Sequence, residues 1–142
     1  MREILFRGKT DSGRFAYGSL ILAYQHCCIL EDEKNVHPMD YPYLDGVMGA
    51  FDGKATPVNP ETVGQFTGKF DKNHRKIFEG DIVRAMMDFG PAGMLQNVVS
   101  ISWDNSVGGW NCGYFDMSTI EVIGNIHDNP DLLCLERSNT HA

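Results

Sequence analysis

Apolar residues along this chain fall in short runs with a period of two. Polar turn chemistry interrupts them about every ten residues, a pattern that predicts many short strands. Glu3 to Arg7 reads as a first strand with Ile4 and Phe6 on one face. Lys9-Thr10-Asp11-Ser12-Gly13 is a turn cluster. Phe15 and Tyr17 open a second strand that runs through Leu22 towards Tyr24, and Cys27-Cys28-Ile29-Leu30 is its candidate partner. A helix over Ser19 to Leu30 is the alternative, but Gly18 and the β-branched and aromatic content favour strands. Residues 31–46 form a long irregular segment in which Pro38 and Pro42 hold their neighbours extended, and Tyr41 and Tyr43 can dock it on the core, the preferred reading, or on a partner. Val47 to Phe51 predicts a short strand, Asp52-Gly53 a hairpin turn, and Lys54 to Val58 the return.

Asn59-Pro60-Glu61-Thr62 carries helix-start chemistry, with Asn as the cap and Pro at the first position, and Gly64 stops it after about one turn. Gln65 to Val83 is the densest run of turn chemistry. An extended Gln65-Phe66-Thr67 leads to a turn at Asp71-Lys72-Asn73-His74, where Asp and Asn bond their own backbone. Lys76-Ile77-Phe78 returns, Glu79-Gly80-Asp81 turns again, and Ile82 to Met87 continues as a strand. Asn97 to Trp103 predicts a strand with Val99, Ile101 and Trp103 on one face. Asp104 to Gly109 marks a hairpin, and Trp110 to Phe115 returns. Thr119 to Ile126 is the last strand, with Ile120, Val122, Gly124 and Ile126 on one face and Ile123 on the other. Asn129-Pro130-Asp131 starts a short terminal helix, and Ser138 to Ala142 is a frayed tail.

The resulting expectation is a mainly β protein with minor α. A β-rich subdomain over 1–58 would precede a core over 59–142 built as a small SH3-like barrel with a short C-terminal helix. At 142 residues the chain can bury enough surface to fold without metal or disulfide, and no cofactor is expected.

Charge and cysteines narrow the function classes. The net charge of −7 disfavours a phosphate backbone as partner unless a local basic face offsets it. No apolar run reaches the length of a membrane span, and the first residues lack a signal-peptide layout, so a cytoplasmic protein is expected, with no membrane partner. The four cysteines include no C-x-x-C pair and read as free, mostly buried thiols. Cys27 and Cys28 are neighbours in a strand and point to opposite faces, which argues against a shared metal ion with His26.

The residues Asn59 to Gly68, then Asp71-Lys72-Asn73, then Ile77-Phe78-Glu79-Gly80-Asp81-Ile82-Val83 resemble the core of the YopX family of phage and prophage proteins. The closing Glu121 to Leu133 and the opening Ile4 to Lys9 and Tyr17 to Leu20 also resemble that family. The resemblance implies a mostly β protein of phages and related mobile elements, with no established activity and no catalytic residue to carry over. One departure stands out: His74 occupies a position where the family usually has Gly. If that position needs a positive φ, either Asn73 takes it here or the turn opens.

Candidate chemistry is weighed against packing. Gly80 reads as a tight bend and Asp81 as a carboxylate accepting backbone N–H groups. The functional alternative makes Glu79 and Asp81, with His127, ligands of a divalent metal in a hydrolase. Lys69, Lys72, His74, Arg75, Lys76 and Arg84 form a cationic rim interleaved with Phe66, Phe70 and Phe78, the composition of a nucleic-acid face; the plain alternative is a hairpin with phenylalanines inward and cations in water. Trp103 and Trp110 are expected in the core. Nucleophile-elbow and P-loop motifs are lacking. The sequence names no activity. Its preferred reading is a non-catalytic β module that binds an unknown protein partner or itself, followed by a nucleic-acid accessory protein and then a metal-dependent hydrolase.

Overall fold

The computed structural model describes residues 2–23, 25–31 and 55–134. The expectations for Tyr24, residues 32–54 (the Tyr/Pro segment, the 47–51 strand and the Asp52-Gly53 turn) and the tail beyond 134 lie outside the described residues. The chain divides into two compact units, Met1–Phe66 and Thr67–Ala142.

The first unit is an antiparallel sheet. Strands β1 (Phe6–Lys9), β2 (Phe15–Ala23), β3 (His26–Leu30) and β4 (Ala55–Pro57) are joined by the first residues of β5 (Gly64–Phe70) in the order β4-β3-β2-β1-β5. The strand reading of 19–30 is the one adopted, with Ser19 opposite Leu30 and Ala23 opposite His26. The Lys9 to Gly13 turn closes through Gly13, at φ 88, whose N–H donates to the Thr10 carbonyl. Asn59 caps a single 3-10 turn, Pro60–Thr62, by accepting from the Glu61 N–H.

Period-two alternation sorts the core of this unit. Cys27 packs with Ala16, Ile29 and Val58, whereas Cys28 packs on the opposite side with Ala55 and Ile21. Burial raises both thiols above their ordinary pKa. All four cysteines are free thiols; Cys28 and Cys112 are buried and Cys134 is exposed. The nearly buried Glu31 holds a two-pronged bond from Arg14 at 2.9 and 3.1 Å and a third from the Thr56 hydroxyl. A carboxylate taken from water is tolerated because these donors replace its hydration.

In the second unit, Thr67 to Phe70 of β5 turn into β6 (Lys76–Phe78). After Gly80, at φ 90, β7 (Asp81–Asp88) pairs with β8 (Met94–Ser100) on one side and β11 (Glu121–Asn125) on the other. A separate two-stranded ribbon, β9 (Trp103–Asp104) with β10 (Gly109–Trp110), lies between β8 and β11 in sequence. The core gathers Ile77, Val83, Ala85, Ile101, Cys112, Ile120 and Val122. Residues 131–134 are helical.

The described sheets are open and do not confirm the expected barrel. Three expectations are corrected. The run from Asn97 to Trp103 stops as a strand at Ser100, and the Asn111 side chain takes the Ser100 carbonyl and the Ser102 N–H. Secondly, β11 shifts register between Val122 and Gly124. Ile123 is the inserted residue of that bulge, which resets the alternation, and Ile126 lies exposed. Thirdly, Trp103 is about half exposed at 49%. It packs edge-on against Trp110, with ring centroids 5.2 Å apart, while Trp110 rests against the core.

The turn at residues 71–75 differs from both readings of it. His74 itself takes the left-handed conformation, at φ 63, and the turn stays closed through its N–H to the Asp71 carbonyl. A non-Gly residue there pays about 1–2 kcal/mol, and Gly returns part of that through unfolded-chain entropy of about 0.4–1 kcal/mol. We expect His74→Gly to raise stability by about 0.5–1 kcal/mol, read as a higher urea midpoint at an unchanged slope.

Candidate binding surface on the second unit

The six cations of the expected rim do not all stand free around one turn. Lys69, Lys72, His74 and Arg75 are exposed around the turn, and Lys76 is half-buried in β6. Lys72 and Arg84 converge on Glu121, at 3.2 and 3.4 Å. Glu121 stands opposite Arg84 in the β7–β11 ladder, which sequence reading missed because that register is not visible in the chain. These three residues, with Met86, Gln96 and Ser118, border an open cleft of about 340 Å³. Both pairs are well exposed, so each adds little to stability; they do divert two of the predicted cations onto an anion. Of the interleaved phenylalanines, Phe66 and Phe78 are buried and Phe70 is exposed.

Glu79, Asp81 and His127 lie around the Gly80 bend. Asp81 is buried and its Oδ2 accepts the Phe78 N–H at 2.7 Å. Gly80 links neighbouring segments, donating to the Ile101 carbonyl and accepting from the Ile126 N–H. The His127 ring lies over it, with Nε2 3.6 Å from where a Cβ would stand. Among the described residues, no three His, Cys, Asp or Glu side chains form a group able to hold a metal ion.

The β7–β8 hairpin presents a different kind of surface. Strand β8 reads Met-Leu-Gln-Asn-Val-Val-Ser, with neither charge nor proline, and it ends the order β11-β7-β8. Its hydrogen-bond phase follows from the ladder. Positions pair so that Ile82 faces Ser100 and Asp88 faces Met94. The Ile101 N–H donates to Asp81 and the Phe89 N–H donates to Gly93. Those two bonds mark 81/101 and 89/93 as hydrogen-bonded pairs, so in β8 the odd residues bond to β7 and the even ones face outward. The Ser100 carbonyl, facing outward, is closed by the Asn111 side chain at 2.9 Å. Among the described residues no hydrogen bond reaches the outward groups of Met94, Gln96 or Val98. Phe89, Met94 and Leu95 at the same hairpin end are 43–48% exposed.

A smaller aromatic feature sits on the β9–β10 ribbon. The exposed Tyr114 hydroxyl donates to Asp104 Oδ2 at 2.9 Å, and Asp104 Oδ1 accepts from the Ser106 hydroxyl and N–H. The Ser106 hydroxyl, then Tyr114, hold the Asp104 carboxyl below its ordinary pKa, and the same bond to Asp104 raises the Tyr114 phenol.

A family model described as YopX protein matches residues 20–134. The chain belongs to the YopX family. The part of the opening resemblance from Ile4 to Lys9 lies before that match. No match is found among curated proteins. The structure of this YopX-family chain is similar to the crystal structure of protein EF1440 from Enterococcus faecalis, at 21% identity and a TM-score of 0.54. The likeness covers 94% of this chain and 99% of that one. At that identity it speaks for the fold. No helix among the described residues is long and apolar enough to cross a membrane.

Proposed function

We propose that this YopX-family chain is a non-catalytic β module, of the phage or prophage origin its resemblance implies, that binds a protein partner by strand addition to its second unit. The observation that carries this is the β8 edge: seven residues without charge or proline, with outward backbone groups unpartnered among the described residues. Folded proteins ordinarily blunt such an edge with charge, proline or a cover, because it is a template for another strand. An added strand gains main-chain bonds for affinity and side-chain contacts for specificity. The test is residue-resolved hydrogen exchange of dilute protein, with and without a synthetic peptide of the β8 sequence. The Gln96 and Val98 amides are expected to exchange freely alone and to slow when the peptide is bound. Protection of both amides in dilute protein without peptide would mean the edge is already occupied and would remove the reading.

A second reading, a nucleic-acid accessory protein, draws on the exposure of Lys69, Lys72, His74 and Arg75 around one turn. Its mark is affinity that falls as salt rises. Absence of binding at low salt to single- and double-stranded DNA and RNA eliminates it.

A further inference from the structure

We infer that the strand added to β8 is β8 of a second copy of this chain, antiparallel and centred on Gln96; this rests on the strand-addition reading above. The open stretch is bounded at both ends. Asn111 closes the Ser100 carbonyl, and the 3-10 turn Gly90–Ala92 ends the extended run before Met94. Three outward residues remain: Met94, Gln96 and Val98. They are symmetric about Gln96. In a two-fold antiparallel pairing with Gln96 opposite Gln96, Met94 faces Val98 of the copy, and every open N–H meets an open C=O. A shift one way sets Met94 against the closed Ser100 at both ends, and a shift the other way sets Val98 against Ala92 in the turn at both ends, so either loses the match.

The side chains suit the same arrangement. Met94 and Val98 form an apolar cross-strand pair on one face, and the two Gln96 amides meet across the axis. Leu95 lies beside Asn97 on the other face. With no charge anywhere on β8, two identical strands meet without like charges opposed. Pairing would join two three-stranded sheets into one of six strands and bring the exposed Phe89, Met94 and Leu95 to the joint. A C2 contact of this kind uses one patch twice and closes on itself. The net charge of −7 per chain repels at long range, so salt should strengthen this association through screening, opposite in sign to nucleic-acid binding.

The experiment is size-exclusion chromatography with light scattering over a wide concentration range, at low and high salt. The full chain is expected to show a twofold rise in mass with concentration, at lower concentration when salt is high. Gln96→Pro removes an outward N–H and leaves the β7 ladder intact, so it should stay monomeric while melting like the parent. Gln96→Lys and Gln96→Glu should each be monomeric alone and form a dimer when mixed, because this register alone sets position 96 against itself. Mixing that restores nothing overturns the register. Monomer at every concentration overturns the self-pairing. Hydrogen exchange of that monomer then separates the two failures: if the Gln96 and Val98 amides exchange freely, strand addition stands and the partner is another protein, and if both are protected, both readings fall.

Discussion

Replacing Asp71 with alanine is expected to destabilise the second unit by about 3–5 kcal/mol, from the loss of three hydrogen bonds to one buried carboxylate. Oδ1 accepts the Asn73 and Arg75 N–H groups at 2.8 and 2.9 Å, and Oδ2 accepts the Val122 N–H at 3.0 Å. The first two bonds shape the β5–β6 turn. The third ties that turn to β11, 51 residues away, beside the Lys72 N–H bond to the Ile120 carbonyl. Alanine leaves the buried Val122 N–H without an acceptor, and an unsatisfied buried donor carries its full desolvation penalty. Asp71→Asn keeps an acceptor for the turn but turns an N–H₂ group towards Val122, so it should fall between alanine and wild type. Urea unfolding at pH 7 measures both. A loss under about 1 kcal/mol for Asp71→Ala, within the range of one ordinary bond, would show that the three contacts do not act together.

The same carboxylate predicts acid sensitivity. Burial pushes the Asp71 pKa up, but the Val122, Arg75 and Asn73 N–H groups and the Arg75 charge outweigh it and hold the group below its ordinary value. A depressed folded pKa means the unfolded chain takes the proton first as pH drops. The contribution is therefore fully present above the unfolded pKa, about 3.9, and is lost as pH falls from there through the folded value. The urea midpoint of the wild type should fall steeply below about pH 4, and its advantage over Asp71→Asn should shrink in that window. An advantage that stays constant down to pH 2.5 would assign the effect to packing.

Much of this was legible because its chemistry is local. Asn59 caps at Pro60, Asp71 bonds Asn73, Gly80 bends and Asp81 takes the Phe78 N–H; each involves residues two or three positions apart. What escaped depends on partners set by topology. The Val122 bond to Asp71, the Glu121 bridge to Lys72 and Arg84, and the openness of β8 all require the order β11-β7-β8, which no local pattern encodes. The left-handed residue fell at His74 because Asp71 Oδ1 fixes both Asn73 and Arg75, leaving position 74 to absorb the reversal. The alternation of Val99 and Ile101, extended, points Trp103 to the core, but the strand ends at Ser100 and the alternation does not carry across. Ile123 upset the last strand for the same reason, since one inserted residue flips every side chain after it.

Gly18→Ala is expected to disrupt the first unit by about 3 kcal/mol or more, at the upper end of the range for overpacking. Gly18 lies inside β2, opposite Phe6 of β1. A Cβ at that position would stand 2.0 Å from the Leu30 carbonyl oxygen, 2.8 Å from its carbon and 3.2 Å from Ile29 Cγ2. The first two are backbone atoms of β3, so relief requires β3 to move away from β2, not a side chain to turn. That movement strains a ladder running from Ser19–Leu30 to Ala23–His26 and pulls Ile29 from the cluster it forms with Ala16 and Val58. Gly8 gives the contrast. Its Cβ would meet the Val58 Cβ and both Cγ atoms at 2.8–3.2 Å; a rotamer change leaves the Val58 Cβ in place, so relief takes a small local backbone shift at Val58, outside the β2–β3 ladder, and Gly8→Ala should cost about 1–2 kcal/mol. Hydrogen exchange of the β2 and β3 amides distinguishes them: Gly18→Ala should release the Ser19 to Leu22 and Cys27 to Leu30 amides together, whereas Gly8→Ala should leave them protected. If the two variants melt alike, the close approach of the Leu30 carbonyl is not what requires glycine in β2.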